Sequence, residues 1–310
     1  MPNFPEAPHV TVCVPSYRRP ILLQRALESV ATQTYSGSLS CVISENGLTE
    51  ATGEVVEALR SSSPQVQWKL IQSGEVVTPV ENWRRAVAAA SDGWVKVLWD
   101  DDWLEPRFLE RSMQVATSTG ASAVTTAARV VSPDGSSRVL YEATPFLNRP
   151  TADDVLRRYT GLLPALPVSP AAALLRRDLV LEALDESRVL GACFDRAMGP
   201  DLAMILTPAL RGSLAHLPEV LVNFWAGEDS ITMTSDELRL RLCYDRAMLQ
   251  VAAVQGVRLP ADVRRRLEHR SFLAWARREP NRQGLLRPRP SATRLARNVW
   301  DRRSRLLRRS

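Results

Sequence analysis

Three consecutive carboxylates, Asp100, Asp101 and Asp102, follow an apolar run at residues 94–99. The run predicts a short buried strand, and Pro106 predicts that a helix begins soon after the acids. Three acids at the end of a buried strand repel one another, so they require either water or a cation. Their oxygen atoms are the ligands that Mg²⁺ and Mn²⁺ prefer, and such ions often hold the phosphates of a substrate. A solvated turn that only caps the next helix is the alternative interpretation.

Two more polar clusters stand at the ends of apolar runs. They are Ser16, Tyr17 and Arg18 after residues 10–15, and Glu45 and Asn46 after residues 39–44. Helical patterns separate the runs, and this repeated alternation predicts a mostly parallel sheet with helices on both faces. Ligands of such sheets bind at the carboxyl ends of the strands. The three clusters therefore predict one binding site at one edge of the sheet.

Apolar periodicity also predicts the elements that position these clusters. The predicted strands cover residues 10–17, 39–44, 66–71, 94–99, 121–127 and 216–225. The predicted helices begin at or near Pro20, Ala51, Val80, Pro106, Thr151, Asp178 and Asp201. Thr151 and Asp178 are predicted caps, and Pro208 is expected to end or kink the helix from Asp201. A hairpin is predicted to turn at Pro133-Asp134-Gly135, and residues 161–170 and 191–200 are predicted to be irregular.

The composition is typical of a soluble globular protein. The chain has 310 residues, of which 45% are hydrophobic, and this favours one large domain or a domain with an appendage. No apolar run is long enough to span a membrane, and residues 1–9 lack the pattern of a secretory signal. We therefore expect a cytoplasmic protein.

The four cysteines, Cys13, Cys41, Cys193 and Cys243, lack the paired spacings that bind zinc. Cys13 and Cys41 lie inside apolar runs, where buried free thiols are common. This usage predicts a reducing compartment.

Short motifs occur along the chain in a defined order. The early ones are Pro15-Ser16-Tyr17-Arg18-Arg19-Pro20, the helical pattern of Leu23, Ala26, Leu27, Ser29, Val30, Gln33 and Thr34, then Glu45-Asn46-Gly47, Asn82, and the acids that lead through Trp103 to Pro106. The later ones are Asp201, Arg211-Gly212, Pro218-Glu219-Val220-Leu221-Val222 and Ser230-Ile231-Thr232. Each is weak alone, but in this order they resemble the inverting GT-A glycosyltransferases of family 2.

The resemblance implies an α/β fold of the GT-A type, with a Rossmann-like, mostly parallel sheet flanked by helices. It places a catalytic domain at residues 1–235, with a nucleotide-sugar-binding half at 1–105 and an acceptor-side half at 106–235. Residues 236–310 fall outside the resemblance, and their composition predicts a basic helical C-terminal extension.

The resemblance further implies that a sugar passes from a nucleoside-diphosphate sugar to an acceptor hydroxyl in a single, inverting displacement. A divalent Mg²⁺ or Mn²⁺ ion would be held by Asp102 and Asp100 and would neutralise the departing diphosphate. Asp100 and Asp101 would also face the donor. Asp201 would remove the proton of the acceptor as general base, with Asp195 as the alternative. A purely structural Asp201, favourable to the helix dipole, remains open.

The resemblance also implies which residues form the donor pocket. Glu45 would accept a hydrogen bond from the nucleobase, and the remaining pocket residues would be Pro15, Ser16, Tyr17, Arg18, Asn46 and Asn82. Adjacent helical residues point in different directions, so at most one of Arg84 and Arg85 is expected to meet a phosphate, and Arg85 is our candidate. An ordinary surface loop is the alternative for Tyr17 and Arg18.

Two positions depart from the family pattern. Glu45 stands where an aspartate is usual, which affects the expected contact with the base. Trp225-Ala226-Gly227 replaces an Arg-x-His motif, so no histidine contact with metal or phosphate is expected there. His216 lies on an apolar strand, and we expect it to be a core side chain.

The C-terminal segment is strongly basic. Residues 237–310 hold 20 arginines, no lysine and 6 acids, a net charge of +14 that leaves −8 for the preceding residues. Met248 and Leu267 lie in helical patterns that we expect to pack on the catalytic domain, and residues 295–309 form a basic amphipathic stretch. Such a stretch can lie on an anionic membrane, as a lipid-linked acceptor would require. An oligomerisation helix, an acidic acceptor and a disordered tail are alternatives, and no nucleic-acid-binding module accompanies the charge.

Two other functions compete with a transferase that acts on a glycan, lipid-linked or small-molecule acceptor. A sugar nucleotidyltransferase should carry a glycine-rich basic loop after the first strand, where Pro15-Ser16-Tyr17 stands instead. A non-catalytic protein that binds sugar nucleotides or glycans on the same fold would not need the acids at 100–102 and 201.

Overall fold

The computed structural model describes residues 7–211, 213–227 and 237–278. Ten strands within these ranges form one mixed sheet. In chain order they are β1 (Val10–Ser16), β2 (Leu39–Glu45), β3 (Val66–Gln72), β4 (Trp94–Val97), β5 (Trp103–Leu104), β6 (Ala123–Val131), β7 (Ser137–Leu140), β8 (Leu147–Asn148), β9 (Ala173–Arg176) and β10 (Leu214–Trp225). The α-helices of the same ranges are α1 (Pro20–Ala31), α2 (Glu50–Ser62), α3 (Pro79–Ala88), α4 (Phe108–Thr119), α5 (Ala152–Tyr159), α6 (Arg177–Glu186), α7 (Pro200–Leu210), α8 (Glu237–Val254) and α9 (Ala261–Arg278).

The strands follow the order β3-β2-β1-β4-β9-β6-β10-β5 across the sheet, with β7 beside β6 and β8 beside β10. β1 runs parallel to β2 and β4, β2 runs parallel to β3, and β6 runs parallel to β10. β9 lies antiparallel between β4 and β6. The predicted α/β fold with a mostly parallel sheet is confirmed, with β9 as an antiparallel insertion near its centre.

The register of the parallel strands brings the three polar clusters to one edge of the sheet. Ser16 is paired with Glu45 across β1 and β2, and Cys13 is paired with Val97 across β1 and β4. Asp100 lies three residues beyond Val97, just as Ser16 lies three residues beyond Cys13. The acids therefore leave the sheet beside the end of β1, as the alternation of strands and helices predicts.

Helices bury both faces of the sheet, which explains why β1 is apolar throughout. Its side chains alternate between two cores. Val12 and Val14 lie in the core that contains Leu27 of α1 and Phe108 of α4. Cys13 lies in the other core, which contains side chains of α3, α6 and α7. A strand covered on both faces has a continuous apolar sequence, and for this reason the sequence pattern predicted β1.

Several local predictions agree with the structure. β6 and β7 form the antiparallel hairpin around Pro133-Asp134-Gly135. Thr151 caps α5, because its hydroxyl accepts the backbone N–H of Asp154 at 3.2 Å. Pro208 lies inside α7, which ends two residues later at Leu210. His216 is fully buried in β10, as expected of a core side chain.

Other boundaries differ from the predicted ones. β4 ends at Val97 rather than at Trp99, because the chain turns toward the acids two residues early. The prediction that Asp178 caps a helix was wrong: the N-cap of α6 is Arg176, and Asp178 lies in the first turn. The strands β5, β8 and β9 were not predicted. β5 and β8 have two residues each, too few for a periodic signal, and the short apolar run of β9 is equally compatible with the helix that follows it.

The two helices after residue 236 pack into the core of the preceding domain, which confirms the expectation for their apolar residues. Met248 and Val251 of α8 and Leu267 of α9 are buried in the same cluster as Leu202 and Ile205 of α7. The amphipathic stretch at 295–309 lies outside the described residues.

The cysteines form two classes. Cys13 and Cys41 are buried free thiols, as predicted. Cys193 and Cys243 form a disulfide with their Cα atoms 5.6 Å apart. Disulfides persist mainly in oxidising compartments, so this bond disagrees with the reducing compartment that the sequence predicts. No helix in the described ranges is both long and apolar enough to cross a membrane.

Replacement of Arg270 by alanine should destabilise the protein by about 3 kcal/mol, because it leaves a carboxylate buried without its cation. Arg270 of α9 donates to Asp245 of α8 at 3.0 Å and to the carbonyl of Thr160 at 2.6 Å. Denaturant unfolding of the two proteins measures this loss.

Arg157→Ala is the matched control, because Arg157 also contacts an acid of α9, Asp262 at 2.8 Å, but the pair is about one-third exposed. We expect a loss below about 1 kcal/mol. Equal losses in the two variants would contradict the burial argument.

Candidate active site

The acidic turn, defined as Asp100, Asp101 and Asp102, is held by elements from both sides of the site. Asp100 Oδ2 accepts the backbone N–H of Tyr17 at 3.2 Å. Asp102 Oδ1 accepts the backbone N–H of Trp225 at 3.0 Å. The loop after β1 and the end of β10 are thereby tied to the same turn, although they are 208 residues apart in the chain.

Two arginines of the first helix region face the acidic turn. Arg19 Nη1 lies 3.3 Å from Asp101 Oδ2 and 3.7 Å from Asp100 Oδ1. Arg25 Nη2 donates to the carbonyl of Asp101 at 2.7 Å. Arg19 belongs to the motif after β1, whereas no pattern marks Arg25, and only the fold shows that both face the acids.

Aromatic rings hold the guanidinium of Arg25 in place. Its Cζ lies 4.0 Å from the ring centroid of Trp103 and 4.7 Å from that of Trp225. Such contacts stabilise a cation that is partly removed from water. Trp225, which stands where the resemblance expects an Arg-x-His motif, therefore has two contacts at the acidic turn. Its ring packs on Arg25, and its backbone N–H binds Asp102.

A buried lysine is the third cation of this region. Lys96 is fully buried, with Nζ 4.3 Å from the ring centroid of Phe108 and 3.4 Å from the carbonyl oxygen of Pro170. Burial lowers its pKa well below the ordinary value, and Asp102 is the charge that opposes this shift. Lys96 lies inside an apolar run, so no pattern in the sequence marks it as a neighbour of the acidic turn.

Burial raises the pKa of all three carboxyl groups in the acidic turn. The pKa of Asp100 rises to about 7, because burial and the neighbouring Asp101 both disfavour the ionised form. The pKa of Asp102 lies well above its ordinary value for the same two reasons. The pKa of Asp101 is raised by burial against the opposing effect of Arg19. Ionising the turn without a further cation therefore costs free energy.

Three predicted pocket residues are buried and bonded within the protein. Glu45 accepts the backbone N–H of Arg18 at 2.9 Å and the hydroxyl of Thr52 at 3.0 Å. Asn46 exchanges two hydrogen bonds of 2.9 Å with the backbone of Val77. These contacts fix the loop after β1 and the segment before α3 at the end of β2.

Asn82 performs the same task at the edge of the sheet. Its Nδ2 donates to the carbonyls of Ser44 at 2.9 Å and Ser16 at 3.2 Å, and its Oδ1 accepts the hydroxyl of Ser44 at 2.8 Å. It thus joins the ends of β1 and β2. Pro15 and Ser16 are buried in β1 beneath the same edge.

Exposed side chains lie at the same edge of the sheet. Tyr17 is 47% exposed, and the guanidinium of Arg18 lies 5.3 Å from its ring centroid. Arg18 has a φ of 55°, a left-handed conformation that is uncommon outside glycine. Val76 lies nearby, since a Cβ at Gly47 would be 3.8 Å from Val76 Cγ2 and 4.0 Å from Arg18 Nε.

The two adjacent arginines of α3 differ in their partners. Arg84 Nε donates to Asp185 at 2.7 Å, and its Nη2 lies 3.5 Å from the same carboxylate. Arg85 Nη1 is buried and has no hydrogen-bond partner among the described residues. Arg85 is therefore the one of the two with a buried, unsatisfied donor, and it lies one helical turn beyond Asn82.

Asp201 lies in the first turn of α7 and accepts two hydrogen bonds. Its Oδ1 accepts the backbone N–H of Gly199 at 2.9 Å, and its Oδ2 accepts the hydroxyl of Tyr244 at 2.8 Å. Burial raises its pKa to about 6. Asp195, the alternative base, is exposed. The sequence residues Ser230-Ile231-Thr232 lie outside the described ranges.

Replacement of Asp100 by asparagine should stabilise the ligand-free protein at pH 8 by about 1–3 kcal/mol. A raised pKa means that the contribution of Asp100 to stability is present below about pH 4 and is lost as the pH rises through about 7. Asparagine avoids this loss and keeps the oxygen that accepts from Tyr17. Thermal unfolding at pH 5 and pH 8 measures the effect.

The gain should be much smaller at pH 5, where Asp100 is already protonated. Asp178→Asn is the control, because the side chain of Asp178 is 71% exposed, and it should change stability little at either pH. A destabilised Asp100→Asn protein at pH 8 would contradict the electrostatic interpretation.

Comparison with known proteins bears on the family and the fold. A family model described as "Glycosyltransferase like family 2" matches residues 7–222. The chain is 29% identical over 109 residues to GalNAc(5)-diNAcBac-PP-undecaprenol beta-1,3-glucosyltransferase of Campylobacter jejuni, a match that spans only 35% of each chain.

Two solved structures share the fold at low sequence identity. S. aureus TarS 1-349 in complex with UDP-GlcNAc has a TM-score of 0.62 and 14% identity, over 90% of this chain and 77% of that one. Mannosyltransferase PcManGT from Pyrobaculum calidifontis, in complex with GDP-Man and Mn²⁺, has a TM-score of 0.53 and 16% identity, over 96% and 79%. The match to most of the chain, together with the GT-A fold, shows that the protein belongs to family 2 of the glycosyltransferases.

Proposed function

We propose that this glycosyltransferase moves a sugar from a nucleoside-diphosphate sugar to an acceptor hydroxyl with inversion at the sugar carbon C1. The acidic turn is the observation that supports this proposal. Its buried carboxyl groups lie where the parallel strands end, and their pKa values are raised. Such a turn favours a bound cation, and the solved relatives that share the fold contain UDP-GlcNAc or GDP-Man with Mn²⁺.

The residues of the turn fit a hard divalent ion such as Mg²⁺ or Mn²⁺. In the described ranges no three His, Cys, Asp or Glu side chains converge as a complete metal site. Mg²⁺ commonly takes one or two carboxylates and completes its shell with water and substrate phosphates. Asp102 uses Oδ1 for Trp225, which leaves Oδ2 for an ion, with Asp100 as the second ligand. The ion supplies positive charge against the departing diphosphate.

Asp201 is the proposed general base. In the displacement the acceptor hydroxyl transfers its proton to the Asp201 carboxylate. The acceptor oxygen bonds to C1 as the bond from C1 to the phosphate oxygen breaks, and the nucleoside diphosphate leaves. A pKa of about 6 keeps the carboxylate ionised at neutral pH while its proton affinity exceeds that of an ordinary aspartate. Catalysis of this kind contributes about 10² to 10⁴ in rate.

The exposed and the buried residues of the proposed donor pocket have separate roles. Tyr17 and Arg18 are exposed and would contact the base and diphosphate, whereas the buried Asn46 and Asn82 would form the floor of the pocket. Glu45 is fully buried, so its proposed contact with the nucleobase requires the base to reach the floor of the pocket.

The acceptor and the location of the protein follow from weaker observations. We propose a glycan or lipid-linked acceptor, because the matched Campylobacter jejuni enzyme is named for an undecaprenol-linked substrate. α9 exposes Arg264, Arg265 and Arg266. These charges and the basic residues after 278 support a peripheral contact with an anionic membrane surface.

A thermal-shift panel of UDP, GDP, TDP and CDP, each with and without Mn²⁺, tests the proposal. One nucleotide should raise the melting temperature by several degrees, and only with metal, because a ligand that binds the native state alone stabilises it by mass action. Asp102→Asn should abolish the metal-dependent shift, and Asp178→Asn should retain it. If no nucleotide stabilises the wild type, the result favours a non-catalytic protein on the same fold.

Arg85→Gln should weaken binding of the stabilising nucleoside diphosphate by about tenfold or more, because the variant loses a charge-assisted hydrogen bond to a phosphate. Titration calorimetry measures the dissociation constant. Arg84→Gln is the matched control: its guanidinium is engaged by Asp185, so its affinity should stay within about twofold of the wild type. Equal losses would exclude a direct contact that is specific to Arg85.

A further inference from the structure

The helix α8 lies beyond residue 222, where the family match ends, yet it is seated directly on the start of α7. Gly199 has a φ of +106°, and a Cβ there would lie 3.1 Å from Ala247 Cβ and 3.2 Å from the carbonyl oxygen of Cys243. The disulfide between Cys193 and Cys243 joins the same two segments. Only glycine permits so close an approach with this backbone conformation.

Because α8 packs there, Tyr244, the residue after Cys243, contacts Asp201, the proposed base. The hydroxyl of Tyr244 donates to Asp201 Oδ2 at 2.8 Å, while the N–H of Gly199 donates to Asp201 Oδ1 at 2.9 Å. Donors on both oxygens fix the plane of the carboxylate. Tyr244 uses one lone pair of Oδ2, so the other can still accept a proton from a substrate.

We propose that Tyr244 is a positioning residue for the reaction: its hydroxyl orients Asp201 and favours the ionised carboxylate, so that α8 completes the active site. The proposal rests on the role of Asp201 as general base. It assigns a function in catalysis to a helix outside the part of the chain that defines the family.

The balance of effects on Asp201 shows what Tyr244 contributes. Burial raises the pKa of Asp201, and the hydrogen bond from Tyr244 is the largest effect that lowers it, ahead of the N–H groups of Leu202 and Gly199. Tyr141 is the other ionisable group that acts on Tyr244. Among the described residues, no charged side chain from the other elements packed on α7 contributes to the shift of Asp201.

The test is the pH dependence of donor hydrolysis by Tyr244→Phe, with the nucleotide sugar whose nucleotide stabilises the protein most. Loss of a hydrogen bond to the charged form should move the acid limb of kcat/KM upward by about one pH unit. At pH 6 kcat/KM should fall by about threefold to tenfold, whereas at pH 8.5 it should stay within about twofold of the wild type. The KM for the donor should not change.

Tyr35→Phe is the matched control. It also loses one hydrogen bond from a tyrosine hydroxyl to a carbonyl, that of Pro8, on a different part of the surface, and it should keep the wild-type profile. If Tyr244→Phe loses activity equally at every pH together with a lower melting temperature, Tyr244 is merely structural and the proposal fails. An unchanged acid limb overturns it as well.

A measurement of stability, which does not require activity, distinguishes failure of this proposal from failure of the proposed function. The stability that a protonated Asp201 contributes is present below about pH 4 and is lost as the pH rises through about 6. The melting-temperature difference between the wild type and Asp201→Asn should therefore titrate near pH 6. In the Tyr244→Phe background the same difference should titrate about one unit higher. If this shift occurs but no nucleotide sugar is hydrolysed, the contact stands and the transferase mechanism fails.

Discussion

The site depends on one electrostatic constraint: three carboxylates must remain at the edge of the sheet although they are largely removed from water. Isolated charges in such a place are costly, so the surrounding structure has to supply donors and cations. Arg19 and Arg25 reach the turn from the first helix region, Lys96 interacts electrostatically with Asp102, and the backbone N–H groups of Tyr17 and Trp225 bind it from two sides. The compensation is incomplete, because the pKa values of the acids remain raised, and the proposed divalent ion would add the missing positive charge.

A second constraint concerns the polar residues that surround the turn. Buried polar groups are stable only when they are hydrogen-bonded, and Glu45, Asn46 and Asn82 satisfy this rule within the protein. They hold the loop after β1, including the left-handed Arg18, while Tyr17 and Arg18 themselves stay exposed. The same motif residues thus divide into a buried scaffold and an exposed pair, which we propose as the ligand contact, a distinction that residue type alone does not make.

Asp201, the proposed base, shows a different balance of effects. At the acidic turn, neighbouring charges of the same sign add to the effect of burial, whereas at Asp201 burial is offset by hydrogen-bond donors, and its pKa comes to about 6. The strongest of these donors, Tyr244, belongs to a helix that shares the core of the preceding domain. α8 is therefore part of the structure that holds Asp201, and the basic charge of the C-terminal segment is only one of its properties.

The sequence by itself determined the alternation of strands and helices, the apolar cores and the acids at the strand ends, because these depend on periodicity and on residues close together in the chain. Only the tertiary structure decided that β9 enters the sheet antiparallel between β4 and β6, since a four-residue apolar run is compatible with either strand or helix. It also decided that Arg25 donates to the carbonyl of Asp101, that Arg84 pairs with Asp185 while Arg85 has a buried nitrogen without a partner, and that Tyr244 bonds to Asp201. These contacts join residues that lie 43 to 101 positions apart. No local pattern records such pairings, because they arise only when packing of the core brings distant elements together.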